Sequence, residues 1–260
     1  MGAAMGVATL VTISFSHFCE KARWGLDRAG VRYVEEAHMP GFHRLAVRRT
    51  GSRRTSVPVF VTDGRAIGDS SEILAYANGV APTERKLYPE DRRIAAEVEA
   101  IEERLDETLG PDLRRAMYFH VLPERSLVIS LFSANAPRWQ RVALRGVYPL
   151  LRRGMERFMK ITEQSAAESI DHVRAVCDDL EKRLADGRPY LTGDRFTAAD
   201  LTLAALAAPA VRPFEHPTRL PALDALPPPL AALVRELQER PLAAFVRRMY
   251  REHRAPNPAP

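Results

Sequence analysis

An apolar, β-branched run, Thr9-Leu10-Val11-Thr12-Ile13, leads with no spacer into Ser14-Phe15-Ser16-His17-Phe18-Cys19-Glu20-Lys21-Ala22-Arg23-Trp24. This junction constrains the fold more than any other stretch. The run reads as a strand. After it, Ala22, Leu26 and Ala29 recur at helical spacing until Gly30 supplies a stop. Ser16 therefore falls at a strand-to-helix turn, as a candidate N-cap with free backbone N–H groups behind it. A helix start favours negative charge, so it suits a thiolate, a carboxylate or a phosphate. A lone serine there is explained by capping alone; any further role must come from its company.

Arg32 to His38 alternates enough for a second strand, with the first helix as the crossover that a parallel pair needs. Residues 39–56, with Pro40-Gly41 and a run of arginines, read as a loop with room for one helical turn. Val57-Pro58-Val59-Phe60-Val61 is a strand with a proline near its start, and X-Pro bonds are where cis peptides occur. Asp63-Gly64 is a hairpin turn, and Arg65-Ala66-Ile67 returns as the partner strand. Asp69 or Ser70 then caps a helix carrying Ile73, Leu74 and Tyr76 and ending at Gly79. The order β-α-β-loop-β-β-α defines an α/β unit over residues 1–80. A proline-bearing linker follows at 81–90, then an all-α unit at 91–254 and a tail at 255–260 expected to be disordered.

Within the helical part, Ile94, Val98, Ile101, Leu105 and Leu109 step at helical spacing, and Gly110-Pro111 is expected to punctuate. Pro137 and Pro149 are expected to limit the helices around them. Ala167–Leu184 reads as an amphipathic helix, and Leu230–Glu239 and Leu242–Glu252 as shorter ones. Phe196-Thr197-Ala198-Ala199-Asp200-Leu201 combines a capping box (Thr197 with Asp200) and a hydrophobic staple (Phe196 with Leu201). Every part of it has a capping role, so it reads as a folding device.

The net charge of +5 is concentrated in the first part of the chain, where Arg44, Arg48, Arg49, Arg53 and Arg54 occur without an acid among them. Such a run attracts anions. Nucleic acid is excluded as the partner because no interleaved aromatics, zinc-knuckle spacing or helix-turn-helix signal accompanies it. No apolar run is long enough for a membrane span. The first residues lack the charged start and apolar core of a secretion signal, and Gly6 stands where a myristoylation pattern needs Ser or Thr. Cys19 and Cys177 lie far apart, which argues against a disulfide scaffold and for a reducing, cytoplasmic compartment. The histidines show no ligand spacing with cysteines or acids, so no metal is implied.

Four segments, in order, resemble the glutathione transferase superfamily. Ser16-His17-Phe18-Cys19-Glu20-Lys21-Ala22-Arg23 is similar to that family's Ser/Cys-Pro-x-Ser/Cys-x-Lys-Val-Arg helix start. Ser56-Val57-Pro58-Val59 resembles its Lys-Val-Pro segment, and Asp69-Ser70-Ser71-Glu72-Ile73 its Glu-Ser-x-Ala-Ile segment. Leu191 to Leu201 is similar to the Gly-Asp…Thr-x-Ala-Asp box of the helical domain. The resemblance spans roughly residues 9–250 and implies a thioredoxin-like glutathione-binding domain followed by an all-helical domain, dimerising across the two.

The resemblance assigns roles residue by residue. Ser16 would donate a hydrogen bond to the sulfur of glutathione and favour its thiolate, which agrees with the physics of thiol acidity at a helix start. Val57 would pair its backbone with the cysteinyl part of the tripeptide, aimed by a cis Pro58. Asp69 and Ser70 would hold the γ-glutamyl end, its ammonium and its carboxylate respectively. A small hydrophobic electrophile would sit between the domains, with Met117, Tyr118, Phe119 and His120 as candidate walls and Trp139 and Phe158 as further candidates.

Two departures from the pattern bear on the site. His17 stands for the proline, and Ser56 for the lysine that would reach the glycyl carboxylate, a contact that Arg53 or Arg54 would have to replace. Ser16-x-x-Cys19 occupies the place of a redox Cys-x-x-Cys with its attacking cysteine missing, so disulfide exchange through this pair is excluded and Cys19 reads as a small buried side chain. The reaction expected is thiolate transfer. The same site would also serve glutathione-dependent isomerisation, dehalogenation or peroxide reduction, and the fold without its chemistry would serve as an interaction scaffold.

Overall fold

The computed structural model describes residues 7–254. The expected disordered tail at 255–260 and the myristoylation pattern at the first residues lie outside the described residues. Seven elements build the first unit: β1 (Thr9–Thr12), α1 (His17–Ala29), β2 (Val34–Ala37), α2 (His43–Arg49), β3 (Val59–Thr62), β4 (Arg65–Ile67) and α3 (Ser70–Val80). The four strands form one sheet in the order β2-β1-β3-β4. β1 runs parallel to β2 and antiparallel to β3, with Leu10 opposite Glu35 on one side and Phe60 on the other.

Period-two alternation sends successive strand residues to opposite faces. Leu10 and Phe60 pack with Leu26 of α1 and Ile73 of α3, whereas Val11 and Val59 pack with Ala46 and Val47 of α2. The sheet is therefore covered on both faces. Asp63 and Gly64 both adopt positive φ, at 48° and 73°, which gives the right-twisted two-residue turn that joins β3 to β4. The Val57–Pro58 peptide is cis. β3 begins after it, at Val59, later than the alternation suggests, because proline has no N–H for the ladder.

The second unit contains α4 (Arg92–Glu107), α5 (Leu109–Val121), α6 (Arg125–Phe132), α7 (Arg138–Phe158), α8 (Glu163–Leu184), α9 (Ala198–Val211), α10 (Pro228–Glu239) and α11 (Pro241–His253). A short 3-10 turn at Thr83–Arg85 lies in the linker. α9 is apolar on all sides and buried nearly throughout, so it is the axis of the helical unit, with α1, α4, α10 and α11 packed on it. Its start holds together as the sequence indicates. Asp200 accepts the Thr197 N–H at 2.8 Å and, from further back, the Leu191 N–H at 2.8 Å. Asp200→Asn turns an N–H₂ group toward donors that need an acceptor, and is expected to cost about 1–3 kcal/mol. A denaturant midpoint unchanged from the parent would contradict this.

Four expectations need correction. The 39–56 segment holds more than the one helical turn expected: α2 is a seven-residue helix, concealed because its buried face is only Ala46 and Val47, with three arginines among its other residues. Gly110-Pro111 does not separate helices but lies in the first turn of α5, where proline's missing N–H costs nothing. Gly110 is required there for packing, since a Cβ would meet the Phe18 ring of α1 at 2.6 Å. Pro149 does not end its helix either. It leaves the Arg145 carbonyl without its helical donor, and Arg125 donates to that carbonyl at 2.6 Å, so α7 continues to Phe158. α8 begins at Glu163, ahead of Ala167, because Thr162 and Ser165 form a capping box.

Candidate functional site

Ser16 is the N-cap of α1, in extended conformation, and its Oγ accepts the Cys19 N–H at 3.4 Å. The same hydroxyl lies within hydrogen-bonding reach of the buried Cys19 thiol and borders the space in front of the helix. The position is held from behind by buried ion pairs. Lys21 lies fully buried with Nζ 2.8 Å from Glu102 and 2.5 Å from Asp106 of α4, and it also donates to Ser71 at 2.8 Å. Glu20, fully buried, accepts from Arg254 at 2.7 Å, and Arg23 donates to Glu35 at 2.9 Å and to the Ser14 carbonyl at 3.1 Å. Trp24 donates to the His253 carbonyl at 3.1 Å. Glu20, Lys21 and Trp24 therefore fasten α1 to distant parts of the chain, and Arg23 ties it to β2 and to the turn before it.

Ser16 opens onto a cavity of about 730 Å³ between the two units. From the first unit come Ile13, Phe15 to Phe18, Pro40 to Arg44 and Thr55 to Val57; from the second come parts of α5, α6, α7, α9 and α10. The lining is mostly apolar. Its titratable groups are Arg44, Arg114, Arg212, His17, His43 and Tyr118, and no carboxylate is among them. Burial, with Arg114 nearby, lowers His17 to about 3, and burial with Arg44 lowers His43 to about 4, so both imidazoles are neutral at physiological pH. His17, which replaces the proline of the pattern, thus adds no charge and is too weak a base to take a proton from Ser16 or a thiol. Burial pushes the Tyr118 phenol up to about 12, leaving it a neutral donor.

The structure brings only part of the expected set to this cavity. Ser16, Val57, Met117, Tyr118 and Phe158 line it. Phe119 and His120 do not, because residues one and two positions beyond Tyr118 point to other sides of α5. Trp139 is not part of the lining; it is exposed and edge-on to Phe42 at 5.4 Å. Pro58, Asp69 and Ser70 lie outside the cavity. Asp69 caps α3 by accepting the Ser71 N–H at 2.9 Å, and its other oxygen pairs with Arg54 at 3.0 Å. Arg54 therefore stands beside the expected γ-glutamyl subsite. Cys19 is fully buried, and burial raises its thiol above the usual range, in keeping with an inert side chain.

Apart from Phe158, sequence reasoning missed the α7 side of the cavity. Val147, Leu150, Leu151, Gly154 and Phe158 recur at helical spacing, a signal that was present but was interrupted by Pro149. Among the described residues no group of three or more His, Cys, Asp and Glu is placed to hold a metal, and no helix is long and apolar enough to cross a membrane.

Two family descriptions match the chain: Glutathione S-transferase, N-terminal domain, over residues 10–85, and Glutathione S-transferase, C-terminal domain, over residues 163–236. No curated protein sequence matches significantly. Among solved structures, a glutathione S-transferase of Xanthobacter autotrophicus Py2 is 19% identical, covering 96% of this chain and 97% of that one, with a TM-score of 0.61. A theta class enzyme of Xanthomonas axonopodis pv. citri, with glutathione bound, is 20% identical over 91% and 95% of the two chains, with a TM-score of 0.56. A β-etherase of Sphingobium sp. strain SYK-6 is 18% identical over 95% and 99%, with a TM-score of 0.58. These are likenesses of fold.

Proposed function

Because this chain belongs to the glutathione S-transferase superfamily, we propose that it binds glutathione, converts its thiol to a thiolate at Ser16 and transfers that sulfur to a small hydrophobic electrophile. The observation that carries the reading is the position of the Ser16 hydroxyl, at the start of α1 and lining a large apolar cavity. A thiolate there receives a hydrogen bond and the favourable end of the helix dipole, both of which stabilise the charged form over the thiol. The electrophile occupies the cavity beside it, where water is scarce and a thiolate is a stronger nucleophile.

The tripeptide extends away from the cavity along the Val57 backbone toward the start of α3. Its γ-glutamyl end is a zwitterion, and the Asp69–Arg54 pair offers an anion for its ammonium and a cation for its carboxylate. Ser70 and the α3 N-terminus add donors for the same carboxylate. In this reading the chain works in the cytoplasm as a homodimer, with no nucleic acid, membrane or metal in its chemistry.

Calorimetric titration with glutathione at neutral pH is the direct test. Saturable binding at one site per chain is expected, and Arg54→Ala is expected to weaken it severalfold, because a charge-assisted contact is removed. Absence of binding up to millimolar glutathione would discard the transferase reading and leave the fold as an interaction scaffold.

A further inference from the structure

The charges around the cavity are all of one sign. Arg44, Arg114 and Arg212 contribute to its lining, both histidines there are neutral, and no Asp or Glu is present. The three arginines differ in what they already hold. Arg44 is exposed at the rim, over the Phe158 ring at 5.9 Å. Arg212 is half-buried and donates to the Pro221 carbonyl. Arg114, half-buried on α5 one turn before Tyr118, has its guanidinium over the Phe18 ring at 5.8 Å and makes no hydrogen bond or ion pair with any described residue.

That is unusual company for a guanidinium away from water. The deeply buried arginines of this protein, Arg23 and Arg254, are each paired with carboxylates. Desolvating a cation without a counter-charge is costly, and an anion from solution would offset that cost. The planar fork of an arginine favours a group with two coplanar oxygens. We propose that the cavity selects an apolar substrate that carries an anionic group, a carboxylate or sulfonate, and that Arg114 is the residue that recognises this group. The assignment rests on the transferase reading for its role: the anion anchors the electrophile while its apolar body fills the space walled by α7. Arg114 thereby sets which electrophiles are retained beside Ser16, and glutathione, which is held at Val57 and Asp69, does not depend on it.

The test titrates the protein with 1-naphthoate and with 1-naphthamide, which share one apolar body and differ in charge. Naphthoate is expected to bind at least about tenfold more tightly. In Arg114→Gln the two are expected to bind within about twofold of each other, with glutathione affinity unchanged, while Arg44→Gln and Arg212→Gln retain the preference. Equal binding of the pair by the parent overturns the proposal. So does a preference lost in Arg44→Gln or Arg212→Gln instead of Arg114→Gln, or an Arg114→Gln variant that loses glutathione affinity along with naphthoate. Should Arg114→Gln not fold, the parent's own preference and Arg114→Lys, which keeps charge without the fork, decide the question. If naphthoate is preferred but glutathione does not bind, the anion site stands and the transferase reading falls.

Discussion

Lys21→Met is expected to lower folding stability by about 3–5 kcal/mol, the usual cost of removing one partner from a buried ion pair. Lys21 is fully buried between the carboxylates of Glu102 and Asp106 and the hydroxyl of Ser71, and methionine matches its length without its charge. The carboxylates would remain in place without their cation, and Glu102 is itself nearly inaccessible to water. Burial already raises Asp106 above the ordinary carboxylate range, with Lys21 opposing the rise. Loss of Lys21 therefore raises it further. A carboxylate whose pKa is higher in the folded state favours folding when protonated, so the variant's deficit is largest near neutral pH and shrinks as the pH falls toward about 4. Thermal unfolding of parent and variant between pH 4.5 and 7.5 measures both effects. A midpoint shift of only about a degree at neutral pH, well short of the roughly 6–15 °C expected, would mean that water or rearrangement replaces the ion pair.

This network also shows where local reading of a sequence stops. The Asp63-Gly64 turn, the Thr197–Asp200 box and the Ser16 cap were legible because each is completed within a few residues of itself. The charges of Glu20-Lys21-x-Arg23 looked like an ordinary helix start, because their partners Glu102, Asp106 and Arg254 lie far along the chain. The same holds for Pro149, whose disruptive effect is cancelled by Arg125 from another helix. Of the candidate site, the placement of the serine follows from turn grammar, while Val57 came only from the resemblance, and β3 begins two residues beyond it. The cavity does not follow from such grammar, since its walls are gathered from seven helices and the loops between them, whose meeting is a tertiary fact. Arg54 illustrates the middle ground: its presence in a basic run was plain, but only the structure pairs it with Asp69.

Ser16→Ala is expected to reduce conjugation at pH 7 by about 10- to 100-fold, through the thiol and not through binding of the second substrate. The rate depends on the thiolate, so the acidic limb of the pH–rate profile follows the pKa of bound glutathione. On the proposed reading, the Ser16 hydroxyl and the start of α1 hold that pKa down in the parent. Without the hydroxyl it rises by roughly one to two units, toward the ~8.5 of a free cysteine thiol. The sign of the change is specific: the deficit grows as the pH is lowered and disappears above about pH 9.5, where the thiol ionises unaided. Losing the cap also costs about 0.5–2 kcal/mol of stability, so rates are compared well below either unfolding midpoint. A variant with the parent's profile at all pH values would remove Ser16 from the chemistry and reduce it to a cap. A uniform loss at every pH would instead mean that the serine positions the tripeptide without tuning its acidity.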